Sequence, residues 1–460
     1  MRTNPDVLNA NNSTAKEWLK LVDSYDHLDA PRSRVEAIAS QHRQGQPCRV
    51  IQRIYGAFNY CFRVRFLEDD DQWIIRFPMP GHTKNPLQKT QNEAAVMRFI
   101  QSNTMIPIPK FIASGVAEGE FEGLGPYIVM EFVQGTSLDD LILEDDEEWN
   151  LKRDCPIETI RILYRQIADI YLQLFQHSFP KIGSLSLVEG DGVAPPSWGV
   201  TSGPLTFKMN EMERMGGVRV GASDGPFDLA SDYFEALADQ SLSHLFDNPR
   251  SAQTAQEFQD DHKSIRVLRS LAKHFGTNSS NAGNQHKLFC DDLRIGNILV
   301  DESSYRIVAV LDWEFCYVAP QGFLCAPPYW LIGSEPFEWK ESDVVFYKEK
   351  VDLFLELLEE EEERCRVDHT LSRLMRESMR DGSFWYNMAI RESFPLSDVM
   401  VHVKDIDVFQ KASISVSQTA SSSVNPICER EDFLDETRPK RSWLPLFLSA
   451  PNVINLQVQL

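Results

Sequence analysis

Asp292, Asn297 and Asp312 have the residue types and the spacing that phosphoryl transfer requires. That chemistry needs a carboxylate beside the acceptor hydroxyl to take its proton, and an amide with a second carboxylate to hold Mg²⁺ against the phosphates. The segment reads Phe289-Cys-Asp-Asp-Leu-Arg-Ile-Gly-Asn-Ile-Leu-Val-Asp and then Ile307-Val-Ala-Val-Leu-Asp-Trp-Glu-Phe. Asp292 precedes Asn297 by five residues, whereas the adjacent Asp291 precedes it by six, so spacing selects Asp292. Two short apolar runs, Asn297-Ile-Leu-Val and Arg306-Ile-Val-Ala-Val-Leu, flank the turn Asp301-Glu-Ser-Ser and predict a β-hairpin. A hairpin returns its far end to its start, which brings Asp312 back to the loop that carries the other two.

The elements that position this loop are legible upstream. Arg49-Val-Ile-Gln-Arg-Ile, Tyr60–Phe66 and Trp73–Phe77, with an acidic turn at Glu68–Asp71, alternate apolar and polar residues as an antiparallel meander does. A helix is predicted over Asn92–Ser102, ahead of Pro107 and Pro109, followed by strands at Lys110–Gly115 and Tyr127–Phe132. Thr136 or Ser137 is placed to cap the helix that leads into a helix-rich half. There Ile157, Ile160, Leu163, Ile167, Ile170 and Leu174 recur at three and four residues behind Pro156, predicting a long core helix. Further helices are predicted at Pro226–Phe246, Thr254–His274 and Val351–Met379, the last with a solvated Glu359–Glu363 face. Gly183–Pro204 reads as a loop.

With these residues in place, the chain resembles a fungal member of the aminoglycoside phosphotransferase family, in the protein-kinase-like superfamily, over roughly residues 48–405. In that family the loop reads His-Gly-Asp-Leu-x-x-x-Asn and the hairpin ends in Asp-Trp-Glu, matched here by Asp292, Leu293, Asn297, Asp312, Trp313 and Glu314. Gly56-Ala-Phe-Asn-Tyr is similar to the phosphate-covering turn, which implies nucleotide contacts at Gly56 and Asn59. Arg76 occupies the cationic third-strand position, and Glu93 in Asn92-Glu-Ala-Ala is its implied partner. Val129-Met-Glu-Phe-Val-Gln-Gly resembles the hinge that meets adenine with backbone groups, implicating Met130, Glu131 and Phe132. Ser383-Phe-Trp-Tyr-Asn and the Ser393-Phe region resemble the family's C-terminal helices. The resemblance implies an α+β, protein-kinase-like bilobal fold with a small antiparallel-sheet N-lobe and a larger, mainly helical C-lobe. It also implies ATP and Mg²⁺ as cofactors, Asn297 and Asp312 as metal ligands and Asp292 as the base.

Two positions depart from the family pattern. Cys290 replaces the His, and Asp291 replaces the small residue after it. The family's His supports the loop, so Cys290 is expected to be a buried structural thiol, and Asp291 is expected to point to solvent, the alternative being that it turns inward and raises the pKa of Asp292 by like-charge repulsion. Trp313 and Phe315 read as core residues and His286 as a loop histidine. The expected organisation is an N-terminal extension with a peripheral helix over 1–47, in which Trp18, Leu19 and Val22 share a face. An N-lobe over 48–134, a C-lobe over 135–410 and a poorly ordered, Ser-rich tail over 411–460 follow.

Composition narrows the partners. Lys and Arg total 46 against 68 Asp and Glu, a net charge of −22, which argues against nucleic acid held by phosphate neutralisation. The eight cysteines form no Cys-x-x-Cys pair and read as free thiols in a reducing compartment. The start lacks the apolar core of a signal peptide, and no apolar run approaches the ~18 residues of a membrane span, so a cytoplasmic location is expected. After Asp312 the chain has neither the Phe-Gly pair nor the Ala-Pro-Glu anchor of protein kinases, which leaves a small-molecule hydroxyl as acceptor. The acidic helical half suits amines or aminoalcohols. A second reading stays open on Cys290 and Asp291: a kinase-like protein that binds nucleotide, a metabolite or a protein partner without transferring phosphate.

Overall fold

The computed structural model describes residues 3–24, 34–117, 123–144, 150–188, 197–218, 225–248, 250–252, 254–278, 280–281, 283, 285–391, 400–403 and 406–420. The chain starts with helices α1 (Pro5–Ser24) and α2 (Arg34–Gln41), then the strands β1 (Cys48–Tyr55), β2 (Asn59–Phe66) and β3 (Gln72–Pro78). Helix α3 (Pro86–Asn103), β4 (Phe111–Val116) and β5 (Pro126–Glu131) complete a five-stranded antiparallel sheet of order β1-β2-β3-β5-β4. Period-2 alternation sorts its faces. Phe62, Val64, Phe66, Ile75 and Phe77 are buried with residues of α1 and α2, while Ile128 and Met130 pack with Ala94 and Met97 of α3. Arg76 lies between Ile75 and Phe77 and therefore points to the α3 face.

The N-terminal segment is thus part of the N-lobe core, a correction to the expected peripheral extension. Trp18, Val22, Val35, Ile38 and Ala39 are all buried against the sheet, and Trp18 Nε1 donates to Gly123 O at 3.0 Å. The physical reason is that α3 covers one face of the sheet and the other apolar face needs its own cover. Helix α1 also reaches the second lobe. Asn4 N donates to Met215 O (2.8 Å), and Asn11 Nδ2 to Arg214 O (2.7 Å).

The larger lobe is mainly helical. It begins with β6 (Thr136–Ser137), α4 (Leu138–Ile142) and α5 (Ile157–Phe175), which turns Ile160, Leu163, Ile167, Ile170 and Leu174 of the predicted stripe inward, whereas Ile157, in its first turn, is exposed. Thr136 and Ser137 pair with Val300 and Leu299 of the predicted hairpin, and Ser137 makes no side-chain cap to α4. The predicted loop at Gly183–Pro204 contains the paired strands β7 (Ser184–Val188) and β8 (Ser197–Ser202). Its Ser and Gly content hid the alternation in Ser184-Leu-Ser-Leu-Val. Next come α6 (Phe207–Gly216), α7 (Ala230–Asp247), α8 (Ala255–Gly276), β9 (His286–Cys290), β10 (Ile298–Asp301), β11 (Arg306–Val310), β12 (Cys316–Pro320) and α9 (Gln321–Leu324). His286, expected on a loop, opens β9 and is buried.

The single helix predicted at Val351–Met379 is two, α10 (Glu341–Cys365) and α11 (Thr370–Asp381), broken where Arg366 turns left-handed at φ 56°. The acidic run is not uniformly solvated, because Glu362 is fully buried and accepts from Leu371 N (2.9 Å) and Ser372 N (3.2 Å). Those are N–H groups that the start of α11 leaves without helical acceptors, and a carboxylate there also suits the helix dipole. Helices α12 (Ser383–Arg391) and α13 (Asp407–Ala420) end the described chain. The first ten residues of the expected low-order tail are therefore helical, with Phe409 and Val416 buried and Phe409 against Phe275. Residues 421–460 and the Ser393 region fall outside the described residues, as does Cys428. The described cysteines are free thiols, and no described helix is long and apolar enough to cross a membrane.

Replacing Trp18 by Ala should lower the unfolding free energy by about 3–5 kcal/mol, read as a shift in the urea midpoint. A helix lying loosely on the surface would shift it by less than about 0.5 kcal/mol.

Candidate active site

The site is built where β9 gives way to a loop. Asn297 closes a single 3-10 turn (Ile295–Asn297), and its Nδ2 donates to Asp292 O at 2.6 Å, which leaves Oδ1 as its acceptor end. Leu311 N donates to Asn297 O (2.8 Å), so the β10–β11 hairpin delivers Asp312 beside the loop as its spacing predicts. Asp312 is held left-handed at φ 62°, a conformation that costs a non-glycine residue of order 1 kcal/mol and is kept by its surroundings. Cys290 Sγ donates to Asp312 O at 3.6 Å, and Trp313 Nε1 to Val310 O at 3.1 Å. The thiol is buried and does the supporting task expected of this position. A hydrogen bond with the neighbouring Cys316, together with burial, pushes its pKa far up, so it stays a neutral donor. Trp313 and Phe315 are buried, as read from the sequence.

From the N-lobe, Arg76 joins two acids at once. It is ion-paired with Glu93 of α3, and its Nη1 donates to Asp312 Oδ1 at 2.8 Å. A second charged cluster sits beside it. Lys89 pairs with Glu314 and donates to Asn59 Oδ1 (2.8 Å), while Asn59 Nδ2 donates to Glu314 Oε2 (2.8 Å). Lys89 and Glu314 are each 1% exposed. The sequence reading missed Lys89 because it started the helix at Asn92, whereas α3 begins at Pro86. The available signal was a lysine four residues before Glu93, on the same helix face.

Asn59, Arg76, Glu93, Asp292, Asn297 and Asp312 are thus brought together across the two lobes. Gly56 N donates to Asn59 O at 2.9 Å in the turn between β1 and β2, where an added Cβ would come within 3.3 Å of that oxygen. The tip of this turn is tied down. Met79 N (2.8 Å) and Thr83 Oγ1 (3.2 Å) donate to Phe58 O, and the Phe58 ring meets Phe207 and Phe315 edge-on. Met130, Glu131 and Phe132 lie at the end of β5, apart from the acid cluster. Met130 packs under α3, and the N–H groups of Glu131 and Phe132 donate to Lys110 O (3.0 Å) and Gln72 O (2.9 Å). Those two donors are engaged within the sheet.

Asp292 accepts from Arg294 Nε at 3.1 Å. Burial is the main cause that raises its pKa, with the Asp312 charge adding to it and Arg294 and Asn297 opposing, which moves it toward the range useful to a base. Asp291 corrects an expectation. It is turned inward, accepting from Phe207 N at 3.3 Å and facing Arg391 Nη1 at 3.5 Å, and Arg391 lies over the rings of Phe289 and Phe323. The side chain caps the start of α6, which explains why it does not face solvent.

Residues 59–155 match the model of the phosphotransferase enzyme family, in agreement with the resemblance carried by the motifs. A comparison with curated proteins found no match. Among solved structures, the chain is similar to an ethanolamine kinase of Plasmodium vivax, at 13% identity over 90% of this chain and 95% of that one, with a TM-score of 0.44. It is also similar to a choline kinase of Cryptosporidium parvum, at 12% identity over 84% and 96%, TM-score 0.39. A third is an aminoglycoside phosphotransferase of Streptomyces rimosus in complex with ADP and streptomycin, at 12% identity over 72% and 90%, TM-score 0.37.

Burial pushes the Asp291 carboxyl up to about 6 from 3.8, against the pull of Arg391. A raised folded-state value means that the native state favours the proton, so this contribution is full below about pH 4 and is lost as pH rises through about 6. Measured by urea unfolding, the stability of the native protein relative to Asp291→Asn should fall by up to about 3 kcal/mol between pH 4 and pH 7. A difference that is flat or rises with pH would show that this carboxyl is not held protonated.

Proposed function

We propose that the chain is an ATP-dependent phosphotransferase acting on a hydroxyl of a small molecule. The convergence of Asp292, Asn297 and Asp312 on one loop and hairpin, with Arg76 reaching them from the other lobe, carries this reading. The family match over residues 59–155 supports it. Asp292 takes the proton of the acceptor hydroxyl at its carboxylate, poised by burial and aimed by Arg294 and Asn297. Arg76, oriented by Glu93, clamps phosphate oxygens, and the turn at Gly56 and Asn59 covers them. Adenine lies against the Met130–Phe132 segment, read by groups other than the N–H donors of Glu131 and Phe132.

The donor set fits Mg²⁺. Asn297 presents an amide oxygen once its Nδ2 is fixed on Asp292, and Asp312 presents a carboxylate, both hard oxygen ligands. Bound there, the ion supplies charge neutralisation on the phosphates. The acceptor we favour carries an amine, on the strength of the acidic composition. Cys290 and Asp291, the two departures that favoured a non-catalytic reading, serve the loop: one donates to Asp312 O and the other caps α6.

MgATP should raise the thermal midpoint of the native protein, and the metal-dependent part should vanish in Asp312→Ala and with chelator. No shift at millimolar nucleotide would remove the basis for a transferase. With a panel of amine-bearing alcohols as acceptors, Asp292→Ala should lower kcat by about 10²–10⁴-fold with nucleotide KM little changed. Unimpaired turnover in that variant would exclude Asp292 as the base.

A further inference from the structure

One turn of α3 carries two residues of opposite charge that look across the lobe boundary. Glu93 holds Arg76, the cation that reaches Asp312. Lys89, four residues earlier, holds two groups at once: Asn59, the first residue of β2 behind the phosphate-covering turn, and Glu314, two residues beyond Asp312. Asn59 and Glu314 are also bonded to each other, so the three side chains form a closed triangle. All of it is out of solvent, with Asn59 buried as well, burial pushes the Lys89 pKa well down, and its Nζ lies 5.8 Å from the centre of the Phe315 ring. Water cannot replace a lost partner there, and a buried charge without its partner is costly. The bonds of the triangle, those to Glu314 both through its Oε2, are therefore made only when the turn, α3 and the Asp312 segment are in one arrangement.

We propose that Lys89 is a positioning residue of the phosphate site, acting through Asn59 and Glu314 to lock the nucleotide-covering turn and the Asp312 segment onto helix α3. This rests on the nucleotide-binding reading given above. Lys89 itself touches neither phosphate nor acceptor in this role. It presets the spacing between the turn that covers the phosphates and the carboxylate beneath them, so its loss should weaken binding of the metal–phosphate part of a nucleotide and leave the nucleoside part unaffected. A lysine that merely stabilises the fold would alter the unfolding midpoint without separating the two.

The test uses the full chain with Lys89→Met, and with Lys89→Met/Glu314→Gln, which strands no carboxylate and so protects against simple misfolding. Calorimetric titration with MgADP and with adenosine should give, for both variants, MgADP binding about tenfold or more weaker than the native protein and adenosine binding unchanged. Equal weakening of both ligands, no weakening of either, or recovery of MgADP binding in the double variant overturns the proposal. Hydrogen exchange without ligand provides the readout independent of nucleotide. Amides of residues 56–60 and 312–315 should exchange faster together in both variants, and protection equal to the native protein's overturns the lock. If the native protein binds neither MgADP nor adenosine while exchange does change, the phosphotransferase reading fails and the lock stands as an interlobe device only.

Discussion

Charges that leave water must find partners, and in this protein that requirement falls on the boundary between the lobes. Arg76, Glu93 and Asp312 form one set, and Lys89, Asn59 and Glu314 form the other. Each set contains members from both lobes: Arg76 and Glu93 pair within the small lobe, whereas Asp312, Lys89 and Glu314 find their charged partners across the boundary. The relative placement of the sheet and the Asp292–Asp312 segment follows from this, with Asp312 half-buried at a junction where the other members are sealed. Such pairs add little net stability compared with apolar packing, but they tolerate few alternative geometries.

Beneath that boundary the loop is organised by backbone and side-chain bonds that do not involve charge pairing between lobes. Asn297 is fixed on the carbonyl of Asp292, the hairpin closes on Asn297 O, and Cys290 and Trp313 hold the backbone around Asp312. The thiol at 290 shows how such support survives a change of residue type. What the position needs is a buried donor toward Asp312 O, and a neutral thiol provides one.

The sequence was legible where chemistry and periodicity coincide. Asp292, Asn297 and Asp312 could be placed because a hairpin of known length dictates their convergence, and the β1–β3 meander and α5 declared themselves by alternation and by a 3–4 stripe. It was less legible where burial depended on partners distant in the chain. Trp18 and Val22 looked peripheral because nothing local reveals that the far face of the sheet lacks a cover. Glu362 and Asp291 looked solvated because their N–H partners belong to helices that begin elsewhere. Lys89 was hidden by a helix start misplaced by six residues, from Pro86 to Asn92, since Asn85 provides no side-chain cap and Pro86 is the only strong marker.

Helix α1 leaves the outer face of the small sheet and ends its reach on α6, bonded to Gly123 on one side and to Arg214 and Met215 on the other. The helix thus adds to the chain after Phe132 and to the charged clusters a further connection between the lobes, one that runs through neither. Any relative placement of the sheet and α6 that spares this helix must keep its bonds to Gly123 at one end and to Arg214 and Met215 at the other, so α1 works as a spacer of fixed length between them.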